Sequence, residues 1–242
     1  MRKIPLLTAC LAWATIFHAQ QSTPDTSVIA SAIDYAKVKY DSQRARESAI
    51  YNGVQFYPYL HTIEGIPFFW SPDWQKGTVV YDKVLYRDMF LKYDLVKDQV
   101  IITPDNQGGL FVALFSPRVS EFAFLDYKFV RMGKPGDGTL LPEGFYRILT
   151  TGKLSAFAKK TKWIFEQVLE QSIYRRFDEK TRYYVLKDGT YHLVKNASDL
   201  FDLLKEHKKE VQQFLSGKKL KFKRTPEQVI TAAVEFYNQL ER

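Results

Sequence analysis

The chain has 242 residues, 45% of them hydrophobic and 15% aromatic, and a formal charge of +8. That length supports one substantial core and excludes two generous domains. A charged fraction of 26% excludes a wholly disordered chain, and no later apolar run approaches the roughly 18 residues of a membrane-spanning helix.

The N-terminus reads as a targeting segment. Arg2 and Lys3 precede the apolar run 4–17, then His18-Ala19-Gln20-Gln21 and a polar stretch follow, which is the layout of a secretory signal. Residues 1–20 are expected to be that signal, with cleavage just after Ala19 or Gln20. Leu7-Thr8-Ala9-Cys10 offers a rival, lipidation at Cys10, but the apolar run continues past it through Leu11, Trp13 and Ile16. Cleavage removes Cys10, the only cysteine, so neither a disulfide nor a thiolate ligand is expected. Loss of Arg2 and Lys3 takes the formal charge from +8 to +6. The expected location is exported, periplasmic or extracellular.

Residues 21–53 read as a polar leader and a short helix. Ile29, Ile33, Ala36 and Tyr40 sit near helical spacing, although Val38 and Tyr40 alternate well enough to leave a strand open. Tyr51-Asn52-Gly53 marks a turn. An aromatic-dense stretch follows, containing Phe56, Tyr57, Tyr59, Phe68, Phe69, Trp70 and Trp74 and broken by prolines at 58, 67 and 72. Proline is excluded from central strands, so this stretch is expected to form loops and short edge strands.

Strands are predicted at 77–81, 84–93 and 99–103, joined by turns at Asp82-Lys83 and Lys97-Asp98. The apolar run 110–115 reads as a fully buried strand and 119–130 as two alternating ones. The stretches 144–150, 154–159 and 163–169 read as further strands, the last also compatible with a helix. Two more, 181–186 and 190–195, flank Asp188-Gly189, a strong hairpin signal. These strands make up an expected β domain over 54–195.

Residues 196–242 are expected to form a helical pair packed on the sheet. Asn196 or Ser198 can cap a helix running to about Leu215, ended by Ser216-Gly217. Its apolar face is Leu200, Leu203, Leu204, Val211, Phe214 and Leu215. Thr225-Pro226-Glu227-Gln228 reads as a capping box opening a terminal helix with Val229, Ile230, Ala233, Phe236, Tyr237 and Leu240 on one face. The predicted fold class is α+β, mainly β: an antiparallel meander of about a dozen strands curled into a barrel-like or half-barrel sheet, with two C-terminal helices.

The signal ending near Ala19-Gln20, the Tyr51-Asn52-Gly53 turn, Leu91-Lys92-Tyr93-Asp94 through Asp98, Gly144-Phe145-Tyr146 and the basic-to-helical tail carry a resemblance. Over most of the mature length the chain resembles uncharacterised exported proteins of Bacteroidetes-type bacteria. The resemblance implies export and transfers no activity.

Motifs for chemistry are sparse. His61, His192 and His207 lie far apart and form no metal-ligand spacing. No Gly-x-Ser-x-Gly elbow occurs, and the glycine-rich 133–138 lacks a phosphate-loop lysine. Asp82, Asp88, Asp94 and Asp98 are the best carboxylate group, and Asp88 and Asp94 share a strand face if no turn intervenes. Asp is also what hairpin turns use. No catalytic residue, metal or cofactor is assigned.

Two contact regions stand out. Tyr57, Tyr59, Phe68, Phe69, Trp70 and Trp74 are candidate ligand or partner contacts. Lys218, Lys219, Lys221, Lys223 and Arg224 are a candidate contact for an anionic surface. The expected function is an exported, non-catalytic binding or structural module of the cell envelope, whose partner is an envelope protein, a glycan or an anionic lipid surface rather than nucleic acid. Two alternatives are a carboxylate-based glycan hydrolase and a lipid or lipoprotein carrier with a half-barrel cavity.

Overall fold

Alternating apolar residues separated by tight polar turns produce one antiparallel sheet. The structure, a computed structural model, describes residues 33–35, 37, 49–104, 109, 111–133, 141–170 and 172–241. The chain divides into two units, Met1–Ala45 and Arg46–Arg242. In the first, Ile33, Asp34, Tyr35 and Lys37 are helical, as their spacing predicts. The signal segment and most of the predicted short helix within 21–53 lie outside the described residues.

The second unit holds eleven described strands: β1 (Val54–Gln55), β2 (Gln75–Tyr81), β3 (Val84–Asp94), β4 (Gln99–Thr103), β5 (Val112–Ala113), β6 (Val119–Phe124), β7 (Tyr127–Met132), β8 (Gly144–Thr150), β9 (Ser155–Val168), β10 (Ile173–Lys187) and β11 (Thr190–Val194). Their order is β1-β5-β4-β3-β2-β6-β7-β8-β9-β10-β11, all antiparallel, in one open sheet rather than a closed barrel. The Asp82-Lys83 turn places both residues at positive φ, 50° and 66°, and Asp188-Gly189 does the same at 49° and 75°. That is the geometry of two-residue hairpins whose twist matches their strands.

Besides the long link from β1 at the sheet edge to β2, the meander is interrupted where β5 leads to β6 beside β2. In a flat sheet those two strands would lie about 19 Å apart, four spacings of about 4.8 Å. The connection has only residues 114–118, and Ser116–Arg118 within it form a tight 3₁₀ turn. The sheet therefore curls. The bend sits in β3, where Arg87 and Asp88 together face Thr78: Gly77 pairs with Met89 but Val79 with Tyr86, and Asp88 has φ 54°. Such a bulge increases twist and redirects a strand.

The curl is filled. Tyr93 of β3 and Phe145 of β8 are distant in strand order, yet their ring centroids are 5.8 Å apart. Phe122, Phe129 and Phe69 complete the cluster, with Phe122 stacked on Phe129 at 4.6 Å and Phe69 edge-on to it at 5.1 Å. These rings are almost wholly buried, each contributing a large apolar area to the core.

Asp98 fastens the curl from outside the ring cluster. Its carboxylate accepts from the Tyr93 hydroxyl (2.5 Å), from the Phe145 amide (3.3 Å) and from Lys159 of β9 (2.9 Å). The Lys159 side chain is 7% exposed and its ammonium lies 4.9 Å from the Tyr146 ring. Gly144, at φ 141°, makes room: a Cβ there would stand 1.8 Å from Asp98 and 2.1 Å from Lys159.

The helices cover β8–β11. They are α1 (Ala197–Leu203), α2 (Lys208–Gly217) and α3 (Pro226–Leu240). Leu200, Val211 and Ile230 pack with Ala156 and Val185 of the sheet in one buried cluster. Asn238 bonds both backbone groups of Leu154, at 2.8 and 2.9 Å, and pins α3 to the β8–β9 turn.

Four expectations need correction. The predicted single helix to Leu215 is split, because Lys187 takes the Leu203 carbonyl at 2.7 Å and His207 bonds Leu204 instead, forming a 3₁₀ turn. Thr225 makes no side-chain cap, so the capping box does not form; its hydroxyl donates to the Lys221 carbonyl. Among the described residues of the run 110–115, strand pairing is confined to Val112–Ala113, and Phe115 is exposed as the chain turns out toward β6. The stretches 154–159 and 163–169 are one strand, and its partner β10 begins at Ile173 rather than 181.

Asp98→Ala leaves the Lys159 ammonium buried without a counter-charge and is expected to cost about 3–5 kcal/mol. Adding Lys159→Met should recover much of that loss. Urea denaturation of the two variants reads this directly, and a cost under about 1 kcal/mol for Asp98→Ala would show that the clamp does not hold the curl.

Candidate functional site

The aromatic stretch between β1 and β2 is a loop held at both sides. Glu64 docks on the edge of β10, its amide donating to the Arg175 carbonyl (2.9 Å) and its carbonyl accepting from the Phe177 amide (3.0 Å). Further on, the Phe69 amide donates to the Tyr93 carbonyl (2.8 Å), and the Leu95 amide donates to the Pro67 carbonyl (3.0 Å). The loop between these anchors leans over the face formed by β8, β9 and β10. Beneath it opens a cleft of about 380 Å³ lined by Ile66, Phe68, Phe69, Trp70, Leu95, Tyr127, Arg147, Lys160, Lys162, Glu179 and Glu227.

Trp70 stands at the lip. Its backbone has φ 71°, and the Ser71 amide donates back to the Phe69 carbonyl at 3.0 Å. This is a γ-turn of the strained, positive-φ kind, rare for any residue with a side chain. The Trp70 ring lies 5.5 Å from Tyr127 and remains 65% exposed.

The floor is charged and internally paired. Arg147 pairs with Glu227 of α3, and its guanidinium lies 5.2 Å from the Tyr127 ring and 5.7 Å from Phe69. Lys160 and Lys162 lie two apart on β9 and so share a face, and Glu179 on β10 is in register with Lys162. Glu179 accepts from Lys160 at 3.0 Å and lies 3.6 Å from Lys162. Lys162 also donates to the Ile66 carbonyl at 2.7 Å, tying the loop to the floor. Burial pushes the Lys162 ammonium below its ordinary pKa, partly opposed by the Glu179 charge. Burial likewise pushes the Glu179 carboxyl up, but the hydrogen bond and charge of Lys160, with the charge of Lys162, outweigh it and hold Glu179 below the usual range.

Of the aromatic candidates, the structure brings Phe68, Phe69 and Trp70 into the cleft. Tyr57 is exposed outside it and donates to Gln55. Tyr59 turns inward, donating to Asp94 at 2.9 Å and packing edge-on against Phe177; burial and the Asp94 charge push its hydroxyl pKa well up. Trp74 lies against Phe111, with the Lys92 ammonium 4.3 Å from its ring.

The four candidate aspartates do not form an acid pair. Asp82 lies in the first hairpin turn, exposed and paired with Arg118 at 3.5 Å. Asp88 is exposed at the bulge, which separates it from Asp94. Asp94 is fully buried, and its oxygens accept from the Val96 and Lys97 amides and from Tyr59. Asp98 is the clamp described above. All four serve turns, bends or closure.

The basic candidates Lys218, Lys219, Lys221, Lys223 and Arg224 form the exposed connection between α2 and α3. Lys218 caps α2 and its ammonium lies 4.5 Å from the Phe214 ring. Among the described residues none of the five makes an ion pair.

Sequence reasoning missed the cleft floor: Arg147, Lys160, Lys162, Glu179 and Glu227. The Lys-x-Lys alternation on β9 was a usable signal, because it puts both ammonium groups on one face. Glu227 read as a capping residue, and Glu179 lay in a stretch not recognised as strand. No helix among the described residues is long and apolar enough to cross a membrane. Comparison of the chain with protein-family models, curated proteins and solved structures finds no match.

Because Glu179 has a lower pKa folded than unfolded, it stabilises the fold above its ordinary pKa of about 4.5 and loses that contribution as pH falls through its folded value. Glu179→Gln should therefore lose less thermal stability than the parent between about pH 6 and about pH 3. Melting followed by circular dichroism across that range checks this; parallel curves would remove Glu179 from the linkage.

Proposed function

We propose that the protein is an exported, non-catalytic binding module of the cell envelope, and that the cleft beneath Trp70 takes a glycan. The observation that carries the reading is Trp70 itself. A large ring held in a strained turn and left 65% exposed has no packing role sufficient to explain its position. Strain of this kind concentrates where a side chain must be presented to something else. An exposed indole face over a floor of alternating donors and acceptors matches a sugar ring, which offers an apolar face and a rim of hydroxyls. The cleft volume falls within the range of small-ligand sites.

The non-catalytic part is supported by the state of the acids. Hydrolysis of a glycoside requires one carboxyl kept protonated to donate to the leaving group. Glu179 is held ionised by two lysines, and Glu227 is engaged by Arg147. The ring-filled interior favours this surface cleft over an internal lipid cavity. The exposed connection 218–224 is read as a second contact, with an anionic surface.

Trp70→Gly separates stability from binding. Glycine adopts φ 71° freely, so the variant should keep or raise the melting temperature, with up to about 1 kcal/mol of relieved strain. It should also lose binding to the oligosaccharides that the parent takes on a glycan array, confirmed by titration calorimetry. Unchanged binding would sink the reading, as would an array on which the parent takes nothing.

A further inference from the structure

One edge of the sheet is left open partway along a strand. β10 has β9 on one side and β11 on the other, but β11 ends with Val194 opposite Tyr183, and the Glu64 bridge covers β10 again only at Arg176. From Asp178 to Arg182 the outer side of β10 has no strand beside it among the described residues.

The bonds around the gap show which backbone groups face it. The Arg175 carbonyl and the Phe177 amide meet Glu64, away from β9, while the Leu169 amide donates to the Ser172 carbonyl across the β9–β10 turn at 2.8 Å. Backbone groups alternate in direction along a strand, so the even-numbered residues of β10 turn toward β9 and the odd-numbered ones turn outward. Glu179 and Thr181 therefore present both their amides and both their carbonyls to the gap. No backbone hydrogen bond among the described residues uses them.

A cavity of about 650 Å³ lies at this gap, and the consecutive residues Lys180, Thr181, Arg182 and Tyr183 all line it. Consecutive side chains point to opposite faces, so the cavity wraps the strand edge itself. Its two sides differ. Lys180 stands opposite Thr161 and Arg182 opposite Lys159, on the face away from Thr181, Tyr183 and Glu179. Both cations are exposed, neither makes an ion pair among the described residues, and the cavity lining contains no acidic residue. The other side is apolar, with Tyr183 and Phe222 packed in the cluster beneath the helices and Pro226 at the start of α3.

We infer that this edge takes up an extended segment of another protein as an added antiparallel strand, in which an acidic residue lies opposite Lys180 and the residues flanking it are apolar. Pairing with Glu179 and Thr181 gives four backbone hydrogen bonds, and alternate side chains supply the specificity. The residue opposite Lys180 occupies a position without inter-strand hydrogen bonds, where side chains approach most closely, and Arg182 is within diagonal reach. Its neighbours turn to the side of Tyr183 and Phe222. A second copy of this chain does not suit the gap. Pairing two such edges about a twofold axis sets Glu179 on Glu179, Lys180 on Lys180 or Lys180 on Arg182, and like charges directly opposite are destabilising. The inference does not rest on the glycan reading, because the strand edge lies outside the lining of the Trp70 cleft except for Glu179.

The test titrates the full mature chain with labelled peptides of alternating Val and Glu, Val and Gln, or Val and Lys, and with the Val-Glu peptide N-methylated at Val or at Glu. The parent should prefer Val-Glu to Val-Gln by about tenfold at low salt, and the preference should fade at high salt. Methylation at Val, whose amides face β10, should abolish binding, whereas methylation at Glu should leave it. Lys180→Glu/Arg182→Glu changes exposed side chains, so it should melt with the parent and invert the preference to Val-Lys. Thr181→Pro removes an outward amide and no bond to β9, so it should fold and lose binding; the methylated peptides make the same test on the parent should it not fold. Hydrogen exchange should show the Glu179 and Thr181 amides slowed by the Val-Glu peptide. Equal binding of the Val-methylated peptide, an unchanged preference in the charge-reversed variant, or a parent that takes no peptide would each overturn the inference. Displacement of the Val-Glu peptide by an oligogalacturonide of equal charge at equal concentration would assign the cations to polyanions in general and overturn strand addition. Trp70→Gly should bind the Val-Glu peptide as the parent does, which reads this inference separately from the glycan cleft.

Discussion

The structure depends on one partly buried ionic contact. Asp98 sits in the turn between β3 and β4, and Lys159 on β9, far away in strand order. Nothing in strand pairing brings them together, since the sheet is open. The bulge at Asp88 bends β3 and the short β5–β6 connection forces the curl. The aromatic cluster then fills the inside. The Asp98 carboxylate joins the two ends of that curl by accepting at once from Tyr93, Phe145 and Lys159. A charge pair removed from water is worth keeping only when its remaining hydrogen-bonding capacity is met. Here it is met by a hydroxyl, a backbone amide and a ring face, and Gly144 supplies the space.

The candidate cleft is a consequence of the same closure. Leu95, beside the clamp, bonds both to Pro67 of the aromatic loop and to Lys162 of β9. The loop is thus suspended between the β3–β4 turn and the β9–β10 hairpin. Lys162 reaches back to hold its carbonyls, and Glu179 keeps that ammonium partnered. Rigid anchors on both sides allow the strain at Trp70 to persist, because the backbone there has no freedom to relax.

Much of this was legible in the chain. The limits of β4 follow directly from a short apolar run between turn residues, and the Asp188-Gly189 hairpin from its dipeptide. Asn196 caps α1 as its residue type suggests, its side chain accepting from the Asp199 amide. The β9–β10 hairpin was harder to read because its outer half is at most half-buried on either face, so charges and rings succeed one another without an apolar period. The helix break at Leu203 was invisible because its cause, Lys187, arrives from a strand. At the site, Phe68, Phe69 and Trp70 were legible as aromatics in a proline-punctuated loop. Tyr59 was of the same type, but the buried Asp94 took its hydroxyl and withdrew it from the surface.

The sequence by itself determined much of the local geometry: where most strands lie, which turns reverse them, and which faces of the helices are apolar. These follow from periodicity and backbone preference within a few residues. Only the tertiary structure decided which side chains meet. Asp98 and Lys159 are 61 positions apart, and Arg147 and Glu227 are 80, so no local pattern pairs them. Aspartates that looked like candidate acids proved to be structural, while charges that looked like ordinary strand surface became the floor of a cleft. The difference lies in long-range packing, because curling the sheet buries some charges against partners and leaves others facing an opening.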